Sequence, residues 1–466
     1  MKGINRILVV AGIIALILAL VVIPPIARGY WDLGQAESLR LSSPGQAAAR
    51  YKSAALLLPW RDDLWEQAGL MALTDDDPDL ALQLFDRSSE LSAKGSMAQG
   101  DALYRTGKVD SALLLWEKLR DEGSASAQLL NRIGHVYYEQ HRFEEASEAF
   151  LSSVKLDDTD SDSYYMLGLL LATQSPQEAV KALIKAGQLD PKLDPVVQSL
   201  RAGLNAASLL SDKSAQLTSA GRTLAGAGSL LLAREALENA IKSDPQYAPA
   251  WAWLGYVKQS FQEDGLAELD RALQLDRNSA EIRSLRAVYF LRENNFEKAK
   301  AEFEEAARLD PQNADWQIAL GDLTARTGDI QKGLEYYQHA VELSPNKADY
   351  WRAMANFIID YNGSIQEIGL PAALKARALA PDDPQNSITL GRVFYSLGEL
   401  DAAEKIWTDV LQKNPDLPSI HLYLGVLYLQ EGNSELAYQH LLQTVNLDEN
   451  GPYGSQASRM LDQYFP

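Results

Sequence analysis

The five histidines, at positions 135, 141, 339, 421 and 440, are the side chains best suited to metal ligation or proton transfer. None stands three or four residues from another, the separation at which a helix aims two imidazoles at one ion. Asp158, Asp160 and Asp162 alternate as the ligands of a calcium loop do. Such a loop needs Gly at its sixth position and Glu at its twelfth, where this chain has Ser163 and Leu169. Helix capping is therefore the expected use of that run, and of Asp75 to Asp77. There is no Gly-Lys-Ser/Thr phosphate loop and no Gly-x-Ser-x-Gly elbow. The absence of Cys excludes disulfides, thiolate metal sites and Cys nucleophiles. Neither a catalytic residue nor a cofactor or metal is expected, and the chain reads as a non-enzyme.

What recurs instead is a beat of 34 residues behind one Gly. From Gly134, steps of 12, 16, 19 and 24 reach Ala146, Phe150, Ser153 and Asp158. The same steps lead from Gly321 to Gly333, Tyr337, Ala340 and Pro345, and from Gly391 to Ala403, Trp407, Val410 and Pro415. These markers fall on helical spacings, and Pro punctuates the end, so each unit predicts two antiparallel helices. Gly and Ala mark where two helices approach closely, and the aromatics fill the space between. One pair cannot bury its apolar stripe alone, so the units must stack.

Trp251, Leu254 and Gly255, with Tyr428 and Ala437 elsewhere, complete a pattern that resembles the tetratricopeptide repeat family. With the apolar segment described below, the chain looks like a membrane-anchored bacterial member. The resemblance implies an all-α fold, a right-handed α-solenoid of about twelve helix-turn-helix units. The expected organisation is an anchor over residues 1–27, a five-unit stack over 28–191 and an extra helix or half-repeat over 192–213. A seven-unit stack over 214–450 and a capping helix over 451–466 complete it. Turn lengths vary: the unit of Gly168 reaches Ala179 one residue early, and that of Ala355 reaches Gly369 two late.

In this family the first helix of each pair lines a concave groove where peptides or partner helices bind. The resemblance places His135, Tyr138, Tyr256, Asn356, Arg392 and Tyr395 on that face, with Arg352 one turn before Asn356. Arg352, Asn356 and Arg392 suggest an anion-accepting patch, the alternative being salt bridges between units. The carboxylate clamp of some chaperone-binding members is not matched, because Arg392 replaces its second Asn, and Ser419 and Tyr423 replace its last two cations.

Residues 7–23 carry no charge and little but Ile, Leu, Val and Ala. As a helix they would span about 25 Å, close to the roughly 30 Å of a hydrocarbon core, and Tyr30 and Trp31 follow at interfacial depth. Lys2 and Arg6 precede the run, so the N-terminus is expected in the cytoplasm and the repeats outside it, at the inner membrane with residues 7–27 in the bilayer. A cleaved signal peptide is the rival, although Pro25 suits cleavage after Ala27 poorly. The formal net charge of −20 argues against nucleic acid, which needs cations to neutralise its phosphates. The expected partner is a protein or peptide, gripped by a scaffold in an envelope assembly. The alternatives are a freely diffusing secreted binder and an accessory subunit that grips substrate for a separate enzyme such as a glycosyltransferase.

Overall fold

The computed structural model describes residue 21 and residues 23–465, and among them every regular element is helical. The chain divides into two compact units at Ser243 and Asp244.

Six antiparallel helix pairs build the first unit, opening with residues 23–39 against Pro44–Leu57. Four follow: Asp63–Thr74 with Pro78–Phe85, Ala93–Arg105 with Val109–Leu119, Ala127–Glu139 with Phe143–Leu156, and Ser161–Ala172 with Pro176–Leu189. The sixth pairs Lys213–Gly226 with Leu230–Ser243. Between the last two lies the single helix Asp194–Ser208, which buries Val197, Leu200, Leu204 and Ala207. It packs against both Pro176–Leu189 and Lys213–Gly226. The sixth pair also touches the fifth directly, through Asn239 Nδ2 donating to the Thr173 carbonyl at 3.3 Å. Residues 192–213 are thus spanned by contacts, and the compact division comes one helix pair later.

Six more pairs make the second unit, from Ala248–Ser260 with Leu266–Leu275 to Pro418–Gln430 with Ser434–Leu447. The helix Pro452–Tyr464 closes it, burying Ala457 against Leu422 and Leu441. Asp448 Oδ2 accepts the backbone N–H groups of Tyr453 and Gly454 at 2.9 and 3.0 Å, holding the start of that last helix.

One joint recurs inside the pairs. Trp407 lies against Gly391, where an added Cβ would meet Nε1 at 2.1 Å, and its indole donates to the Ile388 carbonyl at 3.1 Å. Gly100 and Trp116 repeat the arrangement, with the Met97 carbonyl as acceptor at 3.1 Å. The turn joining the two helices of a pair usually needs one left-handed residue. Gly fills it at 107, 228, 328, 398 and 432, and Asp76, His141, Gln262, Asn294 and Asn362 fill it elsewhere. In the pair of Gly168 no residue of that turn has positive φ, in keeping with its shortened spacing.

The apolar run on which the transmembrane expectation rests lies outside the described residues, apart from Val21 and Ile23. Among the described residues no helix is long and apolar enough to cross a membrane.

Candidate functional site

First helices of neighbouring pairs are joined by polar links, and these links hold most of the residues singled out in the sequence. In the first unit, Arg132 grips Asp101 with two hydrogen bonds of 2.5 and 2.9 Å. Tyr104 donates to Glu139, and that bond, together with burial, pushes the Tyr104 hydroxyl up to about 12. These side chains, with Arg105, Trp116, His135 and Val136, line a cleft of about 270 Å³. His135 Nε2 meets Asp162 Oδ2 on the following pair at 2.6 Å, and its ring stands edge-on to Phe150. Tyr138 is half-buried beside Phe143, and burial raises its pKa.

The aspartates that imitate a calcium loop are used locally. Asp160 accepts from the backbone N–H groups of Asp162 and Ser163 at the start of Ser161–Ala172, and Asp162 serves Asn131 and His135. Asp77 caps Pro78–Phe85 in the same way. Among the described residues no group of three or more His, Cys, Asp or Glu is arranged to hold a metal ion.

In the second unit, Tyr256 lies under the Arg292 guanidinium at 4.6 Å and edge-on to Trp253. Asn356 and Arg392 meet: Arg392 Nη1 donates to Asn356 Oδ1 at 2.8 Å, while Nη2 donates to Asp360 at 2.7 Å. Arg352 turns elsewhere, to Asp383 at 2.5 Å, Asp349 at 2.7 Å and Asn386 at 3.2 Å. Both guanidiniums therefore already hold carboxylates of the chain itself, so an incoming anion would have to displace one. The three residues form two separate ion-paired sets, the arrangement weighed above as salt bridges between units. Tyr395 leans on Trp407 with ring centres 6.0 Å apart. A cleft of about 610 Å³ opens beside these residues, lined by Asp322, Arg326, Asn356, Phe357, Asp360 and Tyr361 among others.

One constellation escaped the sequence. His421 and His440 face each other across the two helices of the last pair, Nδ1 to Nδ1 at 3.0 Å, and His421 Nε2 lies 2.9 Å from the Pro415 carbonyl. Tyr428 stacks on His440 at 5.6 Å. The two partners stand 19 residues apart in sequence, far beyond the three or four that align imidazoles on one helix. Their place in the repeat is the usable signal, His421 four before Gly425 and His440 three after Ala437.

Close helix pairs, a Gly–aromatic joint and a turn that repeats with the pairs define an all-α helical-repeat protein. The tetratricopeptide repeat family matches residues 97–161, 131–193, 284–348 and 388–454, so both units carry tetratricopeptide repeats. No curated protein matches the chain. Solved structures do: yeast Tom70 is 16% identical, covering 93% of this chain and 95% of that one, at a TM-score of 0.45. A chain of the APC/C hetero-tetramer Cut9-Hcn1 is 15% identical over 94% and 98%, at 0.39. YrrB, described as a TPR protein with an unusual peptide-binding site, is 18% identical over 41% of this chain and 97% of its own, at 0.30.

Proposed function

We propose that the chain is a membrane-anchored scaffold that binds protein or peptide segments along the first-helix face of its repeats. The observation that carries binding is the pair of clefts between successive first helices, each mixing exposed charge with half-buried aromatic rings. Such clefts offer a peptide both apolar contact and hydrogen-bonding groups; His135 lines the first and Asn356 the second, Tyr138 lies on the helix of His135, and Tyr256 and Tyr395 lie on first helices of other pairs. Arg352 and Arg392 act here as struts between repeats. Anchoring is supported by the uncharged residues 7–23 behind Lys2 and Arg6, an order that favours repeats outside the cytoplasm at the inner membrane. Confinement to that surface raises the local concentration of the clefts toward an envelope machine, whose assembly the scaffold would assist.

A photo-crosslinking residue placed at 135, 138, 256 or 395 in intact cells tests the reading. Discrete protein adducts in the membrane fraction, from these positions and not from the outward-facing Leu374, are expected. Adducts at Leu374 alone would move the binding face.

A further inference from the structure

The first helix pair differs from the others in charge and in surface. Beyond the apolar run, residues 24–63 hold five Lys or Arg against four Asp or Glu, whereas residues 64–466 hold 36 against 59. Of the nine tryptophans only Trp31 and Trp60 are half-exposed or more, at 50% and 57%, and Tyr30 matches them at 50%.

The geometry gathers these features at one end of the pair. Residues 23–39 form one helix, so from the last residue of the apolar run the backbone continues into the first repeat without a loop. Leu58 packs on Gly29, where an added Cβ would meet its Cγ at 2.7 Å, and this brings the end of Pro44–Leu57 beside the start of the first helix. Trp60 and Arg61 follow there. Arg61 holds Asp63 there through Nε and Nη2, both at 2.8 Å. Trp31 lies against two guanidiniums, Arg28 at 5.0 Å and Arg50 at 5.2 Å. Both of these also bind the fully buried Asp32, two cations on one carboxylate.

Depth gives this end its meaning. At about 1.5 Å per residue, a helix begun at residue 7 crosses about 30 Å of hydrocarbon by residue 26 or 27. Arg28, Tyr30 and Trp31 then occupy the next several ångströms, roughly the headgroup layer, where Trp, Tyr and Arg are favoured. Most of the chain is acidic and repelled by an anionic surface, whereas here Arg28 and Arg50 share the single carboxylate of Asp32 and leave one positive charge in excess.

We propose that Arg28, Tyr30, Trp31, Arg50, Trp60 and Arg61 form a collar that seats the first repeat on a bilayer surface bearing anionic phospholipid headgroups. The proposal rests on the anchoring reading above. The collar fixes the angle at which the repeats leave the membrane, because the helix carries no flexible linker and a second chain segment braces it.

The test uses the full-length chain in phosphatidylcholine vesicles with and without phosphatidylglycerol, each containing lipids brominated near the headgroup. Anionic vesicles should quench the wild type more than Trp31→Phe/Trp60→Phe, by the share of two tryptophans in nine. Replacing Arg28 and Arg61 by Gln should shift the seated population by about fivefold per charge on anionic vesicles and leave plain phosphatidylcholine unaffected. If the chain floats with vesicles and resists carbonate extraction, yet wild type and the Phe double variant quench alike, the collar is wrong and the anchor stands. A chain that does not float overturns the anchor, and the collar with it. Quenching that is identical on neutral and anionic vesicles overturns the assignment to anionic headgroups.

Discussion

His135 and the pair His421–His440 put the same side chain to opposite uses. His135 bridges two repeats, its imidazole 2.6 Å from the Asp162 carboxylate, with the two side chains 38% and 52% exposed. His421 is 8% exposed and meets another histidine inside a single repeat. The Pro415 carbonyl can only accept, so His421 Nε2 donates to it, and its bare Nδ1 takes the proton of His440 Nδ1. A carboxylate partner suits a charged imidazole, whereas a buried imidazole partner suits a neutral one. Burial first, and His421 second, push His440 down to about 4. A link between repeats can thus carry charge where the interior of a repeat cannot.

The largest effect that would break this contrast lies in the last pair. An unfolded His takes up a proton near pH 6.5, and folded His440 only near 4. Between those values the unfolded chain binds more protons, so stability is full above about pH 6.5 and falls as the pH drops through the window, by roughly 2–3 kcal/mol. Hydrogen exchange across Ser434–Leu447 should report the loss. His440→Phe, which keeps a ring against Tyr428, should flatten that segment's response between pH 7 and 4. An unchanged slope in the variant would return His440 to an ordinary surface role.

Residue spacing foretold one side of this contrast and not the other. The Gly391 to Trp407 step of sixteen residues is a packing rule between two helices of one pair, so it is written locally and repeats. Polar links between pairs depend on how far one pair is rotated on the next, which no spacing encodes. Arg352, Asn356 and Arg392 looked like one patch, but Arg392 reaches back to Asn356 and Asp360 while Arg352 reaches forward to Asp383. The histidine pair is hidden in the sequence because its members sit on different helices, beyond the three- or four-residue spacing of one helix face. Asp160 was legible as a cap because capping is again local.

A third histidine sharpens the comparison with a smaller effect. His141 has φ of 59°, in a turn position that five other pairs fill with Gly. The left-handed conformation costs a residue with a Cβ about 1–2 kcal/mol, of which the greater chain entropy of Gly cancels roughly 0.5–1. Some of the remaining gain is lost with the stacking of His141 on Phe143, at 5.9 Å. His141→Gly should therefore stabilise the fourth pair by about 0.5 kcal/mol in chemical denaturation. A destabilised variant would show that the stacking outweighs the backbone.

The smallest effect is expected at the site that looks most ionic. The His135 hydrogen bond, ahead of that from Asn131, holds the Asp162 carboxyl below its ordinary 3.8. A lowered carboxylate pKa contributes stability above the unfolded value, and that contribution disappears as the pH falls through the folded one, so its window opens only below about pH 4. Asp162 is half-exposed, and solvent screening limits the link to about 0.2–1 kcal/mol. Asp162→Asn should cost about 0.5 kcal/mol at pH 7, the low end of a measurable shift in denaturation midpoint. It should leave the window between pH 4 and 6.5 as it was, because that window belongs to His440. If the Asn variant instead flattened stability across that range, the acid response would belong to the link between repeats, and burial would not be what separates the two histidine sites.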